Sequence, residues 1–462
     1  MEGLAAVILA AGKGTRMKSR LPKVLHPVGG QPMVNHVMAA CRTAGAQPVV
    51  LVIGHGAEQV QATLGPEQVY VEQKEQLGTG HAVMQAETVL RDFEGDILVV
   101  CGDTPLLRGE TLAALAQYHR QQEAVATVLT MTLANPTGYG RIIRDEQGQV
   151  AAIVEEKDAT PEQKDIREVN SGTYCFQAQA LFAALQQITP NNAQGEYYLT
   201  DVLAIFRQQG QKVAAWQLSD DTEVMGINDR VALAEANRLF RERINRQQML
   251  AGVTILDPAT TYIEAEVKIG ADTVIYPNTH LTGKTTIGAG CQIGPDTKIM
   301  DSQIGDGVEI QFSVILQAEI GNDCTIGPFA YLRPGTRLAA GVKVGDFVEI
   351  KNAVIGQGSK VPHLSYIGDA EIGSGVNIGA GTITCNYDGY KKSKTIIGDG
   401  AFIGSNSNLV APVTIGAGSL VAAGSTIVKD VPADALGVAR APQKNREGWA
   451  KARREAIEGG KA

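Results

Sequence analysis

Leu281-Thr282-Gly283-Lys284-Thr285-Thr286-Ile287-Gly288-Ala289-Gly290-Cys291-Gln292-Ile293-Gly294-Pro295-Asp296-Thr297-Lys298-Ile299 returns to an aliphatic residue at every sixth position. The register runs back to Ile275 and Ile269 and, after one five-residue step, on to Ile304 and Ile310. It resumes at Ile320, Ile326, Leu332, Leu338, Val344 and Ile350, and again at Ile397, Ile403, Leu409, Ile415, Val421 and Ile427. Glycine often follows the aliphatic residue, as in Ile287-Gly288, Ile326-Gly327 and Ile415-Gly416. A period of six sustained this far is the signature of a parallel β-helix. Each hexad gives one short strand and a turn, and three hexads close one triangular coil. The aliphatic side chain points inward and stacks on its equivalents about 4.8 Å above and below. Glycine and small polar residues are expected at the corners, where the chain bends sharply. Aromatic residues make up only 5% of the chain, which suits a prism too narrow for rings. The register begins after Gly252, so residues 252–462 are expected to form this domain, ending in a basic tail with Arg440, Lys444, Arg446, Lys451, Arg453 and Arg454.

Upstream of the repeat the pattern changes. Apolar runs suited to buried strands (Ala5–Leu9, Val49–Val52, Ile97–Val100) alternate with helix-like stretches such as Met33–Ala44 and Thr111–Gln121. This alternation predicts an α/β doubly wound, Rossmann-like domain over residues 1–230, with a mostly parallel sheet and helices on both faces. From Arg230 no Gly or Pro occurs before Gly252, so residues 231–251 read as one long helical linker. The 462 residues accommodate roughly two to four domains at about 150 residues each.

Composition excludes several classes. Forty-nine acidic against 41 basic residues give a formal net charge of -8, which argues against a general nucleic-acid binder. No apolar run reaches the ~18–20 residues of a membrane span. The run Leu4–Ala11 lacks a basic flank and leads straight into a glycine motif, which reads against a signal peptide and for a cytoplasmic enzyme. The six cysteines (Cys41, Cys101, Cys175, Cys291, Cys324, Cys385) never fall at CxxC spacing and the histidines form no HxxxH pair, so scattered reduced thiols are expected rather than a transition-metal site.

The first strand runs into Leu9-Ala10-Ala11-Gly12-Lys13-Gly14-Thr15-Arg16-Met17, followed by Leu21-Pro22-Lys23. A Gly-rich turn after strand one is where doubly wound sheets bind nucleotides. Met17 stands where a dinucleotide fingerprint needs glycine, and no Walker A pattern is present. Val99-Val100-Cys101-Gly102-Asp103-Thr104-Pro105 puts a carboxylate just past a strand end, where an oxygen ligand suits Mg²⁺ in phosphate company. Taken alone, such an aspartate caps a turn as readily as it holds a metal.

The motif Leu9-Ala10-Ala11-Gly12-Lys13-Gly14-Thr15-Arg16-Met17 with Pro22-Lys23 resembles sugar nucleotidylyltransferases. With Gln76-Leu77-Gly78-Thr79-Gly80-His81-Ala82, Asn191-Asn192-Ala193-Gln194-Gly195-Glu196-Tyr197-Tyr198 and the hexads, nearly the whole chain resembles the bacterial bifunctional family that makes UDP-N-acetylglucosamine. That family pairs a glucosamine-1-phosphate N-acetyltransferase with an N-acetylglucosamine-1-phosphate uridylyltransferase. The left hand of the β-helix is implied by this resemblance, since the general crossover rule favours the right hand. So are the roles of individual residues. Leu9, Ala10, Ala11 and Gly12 would cradle UTP; Gln73, Gly78 and Thr79 would read the uracil; Arg16 and Lys23 would face the phosphates. Asp103 and Asn228 would hold Mg²⁺, and Gly140, Glu155 and Asn170 would bind the N-acetylglucosamine moiety.

A second site is indicated where the repeat breaks. His363 and Tyr366 share one coil, and Asn377 to Gly389 interrupts the hexads before Lys391, Lys392 and Lys394. The resemblance implies that His363 is a general base, a role suited to a residue that titrates near neutrality. Arg333, Lys351 and Lys392 would pair with a sugar phosphate. Tyr366 and Asn377 would contact the sugar, while Ala380, Asn386, Tyr387, Ser405, Ala423 and Arg440 would serve acetyl-CoA. A homotrimer is implied as well, because the groove lies between neighbouring prisms in this family.

Two other readings stay open on the residues alone. The β-helix of a single-activity nucleotidylyltransferase can be only structural; His363 beside Asn386-Tyr387 speaks against that. A noncatalytic sugar-nucleotide scaffold is opposed by Lys23, Asp103 and Asn228 standing together in one chain.

Overall fold

The computed structural model describes residues 3–460, in two compact units that divide between Arg243 and Ile244. The division falls inside a helix, Arg230–Leu250, the stretch free of Gly and Pro.

In the first unit the sheet runs in the order Val213–Gln217, Ala126–Thr132, Glu168–Gln177, Gly95–Cys101, Gly3–Ala10, Val49–Ile53, Val69–Glu72. All neighbours pair in parallel except Glu168–Gln177, which is antiparallel to the strands on both of its sides. Nothing local in Glu168–Gln177 states its direction, which is set by pairing with strands well upstream in the chain. Alternate side chains of the first strand enter different cores. Ala5 and Val7 pack with Ala82, Val83, Leu181 and Leu203, while Ala6 and Ile8 pack with Val37, Val60 and Leu115. This is what makes the fold doubly wound. From its first strand the chain builds outward to Val69–Glu72, then crosses back to Gly95–Cys101 on the other side. The reversal opens a crevice at the carboxyl ends of Gly3–Ala10 and Gly95–Cys101, the general location of ligand sites in such sheets.

The second unit is three parallel sheets of eleven, ten and nine short strands, in which each strand pairs with the one three places on, except that Leu420–Val421 pairs with Leu436–Gly437 two places on. The sixth-position residues fill the interior: Ile275, Leu281, Ile293, Ile299, Ile326 and Ile350 are fully buried. Each contributes roughly 1.5–3 kcal/mol of transfer free energy. The expected small corner residues prove to have a second function. Thr273, Ser359, Ser407 and Ser419 are buried and donate to the carbonyls of Gly288, Gly373, Gly404 and Gly416 at 2.6–2.8 Å. A buried carbonyl left without a partner costs about 1–3 kcal/mol, so the hydroxyls are structural. The tail carries one helix, Trp449–Gly459, with no buried residue. All six cysteines are free, and no described helix is long and apolar enough to cross a membrane.

Candidate functional site

The glycine motif lies at the crevice of the first unit. Gly14 takes φ 58°, and a Cβ there would lie 2.6 Å from Lys23 Cβ, so glycine is what allows the loop to close onto Lys23. Gly102 donates to the Leu9 carbonyl at 2.9 Å, tying the loop after Gly95–Cys101 to the end of the first strand. Together they form a cleft of about 530 Å³ lined by Leu9, Ala10, Ala11, Gly12, Lys23, Gln73, Gly78, Thr79 and Asp103.

The charged groups converge on one point. Lys23 Nζ pairs with Asp103 Oδ2 and donates to Asn228 Oδ1 at 2.8 Å. Arg16 Nη2 donates to the same Asn228 oxygen at 2.9 Å. Two hard oxygens, from Asp103 and Asn228, thus already face a single cation, the lysine ammonium. That donor set fits Mg²⁺. On the other side of the cleft Gln73 is buried, and its Nε2 donates to the Gly78 carbonyl at 3.0 Å. Thr79 Oγ1 accepts from Leu199 N at 3.1 Å.

Gly140, Glu155 and Asn170 gather in a separate cluster. Asn170 N donates to the Gly140 carbonyl at 2.8 Å, and the Glu155 carboxylate lies 3.3–3.4 Å from where a Gly140 Cβ would be. The ladder to Ala126–Thr132 shifts register between Asn170 and Tyr174, a bulge that re-aims the Asn170 side chain onto the Tyr174 hydroxyl at 2.7 Å. Burial pushes the Glu155 carboxyl above its ordinary value. Cys101, which lines the cleft, reaches the Gly172 carbonyl inside this bulge and so joins the cluster to the main cleft. Gln76 and Glu196, which stand in the resembling stretches without an assigned role, also line the cleft. Gln76 lies three residues after Gln73 and donates to its carbonyl at 3.0 Å; that spacing was the available signal.

A different cluster was invisible in the sequence. Asp96 and Cys175 on neighbouring strands and His119 on the helix Gly109–Gln121 bring possible ligand atoms within 4.8 Å of one another in the buried interior. Arg120 holds Asp96 at 2.6 Å and Thr127 Oγ1 lies 2.8 Å from His119 Nδ1, so these groups already satisfy one another.

In the second unit His363 ends the strand Lys360–His363 and turns the corner at Leu364. Along this corner the N–H of Gly381 meets the His363 carbonyl, Asn406 meets Ala380, and Gly424 meets Ser405, at 2.7–3.3 Å. His363, Ala380 and Ser405 are therefore stacked coil on coil, with Ala423 next in line and the Arg440 side chain reaching Gly424. The small side chains of this column leave the surface beside the histidine uncrowded.

The polar set lies on the neighbouring face. Glu349 and Tyr366 are register partners, as are Lys351 and Gly368. Arg333 Nη1 pairs with Glu349 Oε1 at 2.7 Å. Lys351 lies beside Lys392, and the close approach of this like charge holds the Lys392 ammonium below the usual lysine range. Two ammoniums held together invite an anion. Asp369 lies beside them and accepts from Asn352 at 2.6 Å and from Asn386. Burial works against its charge, yet the two amides, then Lys351 and Lys392, hold its carboxyl below the ordinary value. Asn386 thus faces the lysines rather than the column of small residues, while Tyr387 is exposed and donates to the Gly389 carbonyl. Asn377 pairs in register with Lys360. Asp346, Glu349 and Asp369 were not singled out from sequence, since outward acids are ordinary on hexad strands.

Comparison with known proteins agrees with this division. The nucleotidyl transferase family matches residues 5–222. The bacterial transferase hexapeptide family (six repeats) matches residues 260–301, 317–352 and 394–429. The stretch between 352 and 394, which holds His363, Tyr366, Asn377 and the insertion, falls outside the matched repeats. A bifunctional protein GlmU of Heliobacterium modesticaldum is 61% identical over 449 residues, 97% of this chain and 98% of the relative. Those of Geobacillus sp. and Carboxydothermus hydrogenoformans are each 56% identical, covering 96% and 98% of this chain and 97% and 100% of theirs.

Proposed function

This chain belongs to the bifunctional GlmU family, and from that premise we propose how its residues divide two transferase reactions. The chain acetylates glucosamine 1-phosphate with acetyl-CoA, then transfers UMP from UTP to the product, giving UDP-N-acetylglucosamine and pyrophosphate. The reading is supported by a nucleotide cleft with Lys23, Asp103 and Asn228 beside it in one unit, and by a column of small residues stacked beside His363 in the other.

In the cleft, the phosphate of N-acetylglucosamine 1-phosphate attacks the α-phosphorus of UTP and pyrophosphate leaves in line. The nucleophile is already an anion, so no general base is needed. Positioning and charge neutralisation do the catalysis. Leu9 to Gly12 carry the nucleotide, Gln73, Gly78 and Thr79 read the base, and Gly140, Glu155 and Asn170 hold the sugar. Arg16 and Lys23 take the phosphates. Asp103 and Asn228 would hold Mg²⁺, which when bound neutralises triphosphate charge.

In the groove, the amine of glucosamine 1-phosphate attacks the thioester carbonyl. The C–N bond forms, the C–S bond breaks, and His363 takes the nitrogen proton. Arg333, Lys351 and Lys392 hold the phosphate, and Tyr366 and Asn377 the sugar. Ala380, Ser405, Ala423 and Arg440 carry the coenzyme arm, with Asn386 and Tyr387 at the edge of the site.

The test is an assay starting from glucosamine 1-phosphate with Mg²⁺, acetyl-CoA and UTP, each omitted in turn. Omitting acetyl-CoA should stop both thiol and pyrophosphate release, and omitting UTP or Mg²⁺ should stop pyrophosphate alone. Pyrophosphate release without acetyl-CoA would contradict the order of the two steps.

The assembly we infer is a homotrimer in the cytoplasm. An exposed aromatic ladder, Phe312, Phe329 and Phe347, with ring centroids 5.7 and 5.3 Å apart, supports it. Such a stripe on a water-facing corner calls for cover. Light scattering should give the mass of three chains. A monomer with intact acetyl transfer would overturn the assembly.

A further inference from the structure

The corner column that carries His363 has one more member, which the chemistry above leaves unused. Asp346 ends the strand Lys343–Asp346 and is the register partner of His363 on the next coil. Its Oδ1 lies 2.6 Å from His363 Nδ1. The backbone leaves this pair no freedom to slip. Leu364 N donates to the Asp346 carbonyl at 3.0 Å. A Cβ at Gly345 would come within 1.8 Å of the Pro362 carbonyl, so the two strands meet there closer than any other residue would permit. Phe347 and Leu364 both turn the corner with positive φ immediately afterwards.

We propose that Asp346 is the positioning residue of the acetyl-transfer site, fixing the tautomer and the direction of the His363 ring. The proposal rests on the reading of His363 as general base and deepens it. An ionised carboxylate only accepts hydrogen bonds, so the proton between the two groups sits on His363 Nδ1. The lone pair is then on Nε2, the nitrogen pointing away from Asp346, where an incoming amine can deliver its proton. The hydrogen bond from His363 holds the Asp346 carboxyl below its ordinary value, so it remains an acceptor. When Nε2 takes the amine proton, Nδ1 keeps its own, and the carboxylate faces the resulting imidazolium. The thioester sulfur leaves with the electron pair of the broken C–S bond.

Exposure separates this role from a structural one. The Asp346 and His363 side chains are 38% and 56% exposed, and an exposed ion pair stabilises a fold little. Its removal should therefore spare folding and affect turnover. The experiment compares Asp346→Ala and Asp346→Asn in the full chain, measuring thiol release from acetyl-CoA with glucosamine 1-phosphate. Uridylyl transfer from N-acetylglucosamine 1-phosphate on the same samples reports folding. Asp346→Ala should lower kcat for acetyl transfer about ten- to a hundredfold with KM for both substrates unchanged, a smaller loss than removal of the base itself. Asp346→Asn should recover much of that kcat, because the amide oxygen still accepts the Nδ1 proton. The proposal is overturned if Asp346→Ala keeps kcat within about twofold of the parent, or if its loss appears in KM instead. A parent chain that releases no thiol would overturn the acetyl-transfer reading itself, and this proposal with it.

Discussion

His363→Ala should abolish acetyl transfer while leaving uridylyl transfer from preformed N-acetylglucosamine 1-phosphate near its parent rate. Loss of a positioned general base costs about 10²–10⁴ in rate. The residue is more than half exposed at a corner and contributes no side chain to the prism core, so its removal leaves no cavity. What holds its coil together is its backbone: the His363 carbonyl accepts from Gly381 N and from Ser365 Oγ, and alanine retains both. The second reaction is an internal control, because each unit buries a core of its own. Equal depression of both reactions would show that the two sites are coupled or that the histidine is structural. Far-UV circular dichroism separates these outcomes: an unchanged spectrum indicates coupling, a changed one a structural role.

How far the sequence could be read follows from what each feature depends on. The β-helix was legible because its period is local: an aliphatic residue every sixth position states the strand, the turn and the inward face at once. The crevice of the first unit was legible for a similar reason, since Gly12-Lys13-Gly14 and Asp103 each follow an apolar run that ends at the same sheet edge. The antiparallel course of Glu168–Gln177 was not, because direction is set by partners far away in the chain. The buried Thr273 and Ser359 read as corner residues, yet their hydroxyls satisfy carbonyls one coil further on. Asp346 shows the limit most clearly. Seventeen positions before His363 it is one acid among many, and only the coil register makes the two neighbours. The same holds for Asp369 and Asn386, which meet across another coil step.

Asp103→Ala should remove most uridylyl transfer and leave acetyl transfer intact. Two consequences of the substitution act together. Asp103 supplies one of the two oxygens that face the Lys23 ammonium, and it is the only one of the two that carries charge. Without it the point where Arg16, Lys23 and Asn228 converge keeps no carboxylate to hold a divalent ion against a triphosphate. Metal stabilisation of transition-state charge amounts to several kcal/mol, which corresponds to about 10²–10⁴ in rate. Lys23 also loses its charged partner and keeps only Asn228 Oδ1, which holds it less firmly toward the phosphates, so raised Mg²⁺ should not rescue the alanine variant. Asp103→Asn separates the two effects. It keeps an oxygen for Lys23 and loses only the charge, so it should fall less far and recover in part as Mg²⁺ is raised. Pyrophosphate release measured across a Mg²⁺ titration distinguishes the variants. Near-normal release from Asp103→Ala at saturating Mg²⁺ would remove Asp103 from the metal site and return it to the plainer role of a turn-capping carboxylate at the end of Gly95–Cys101.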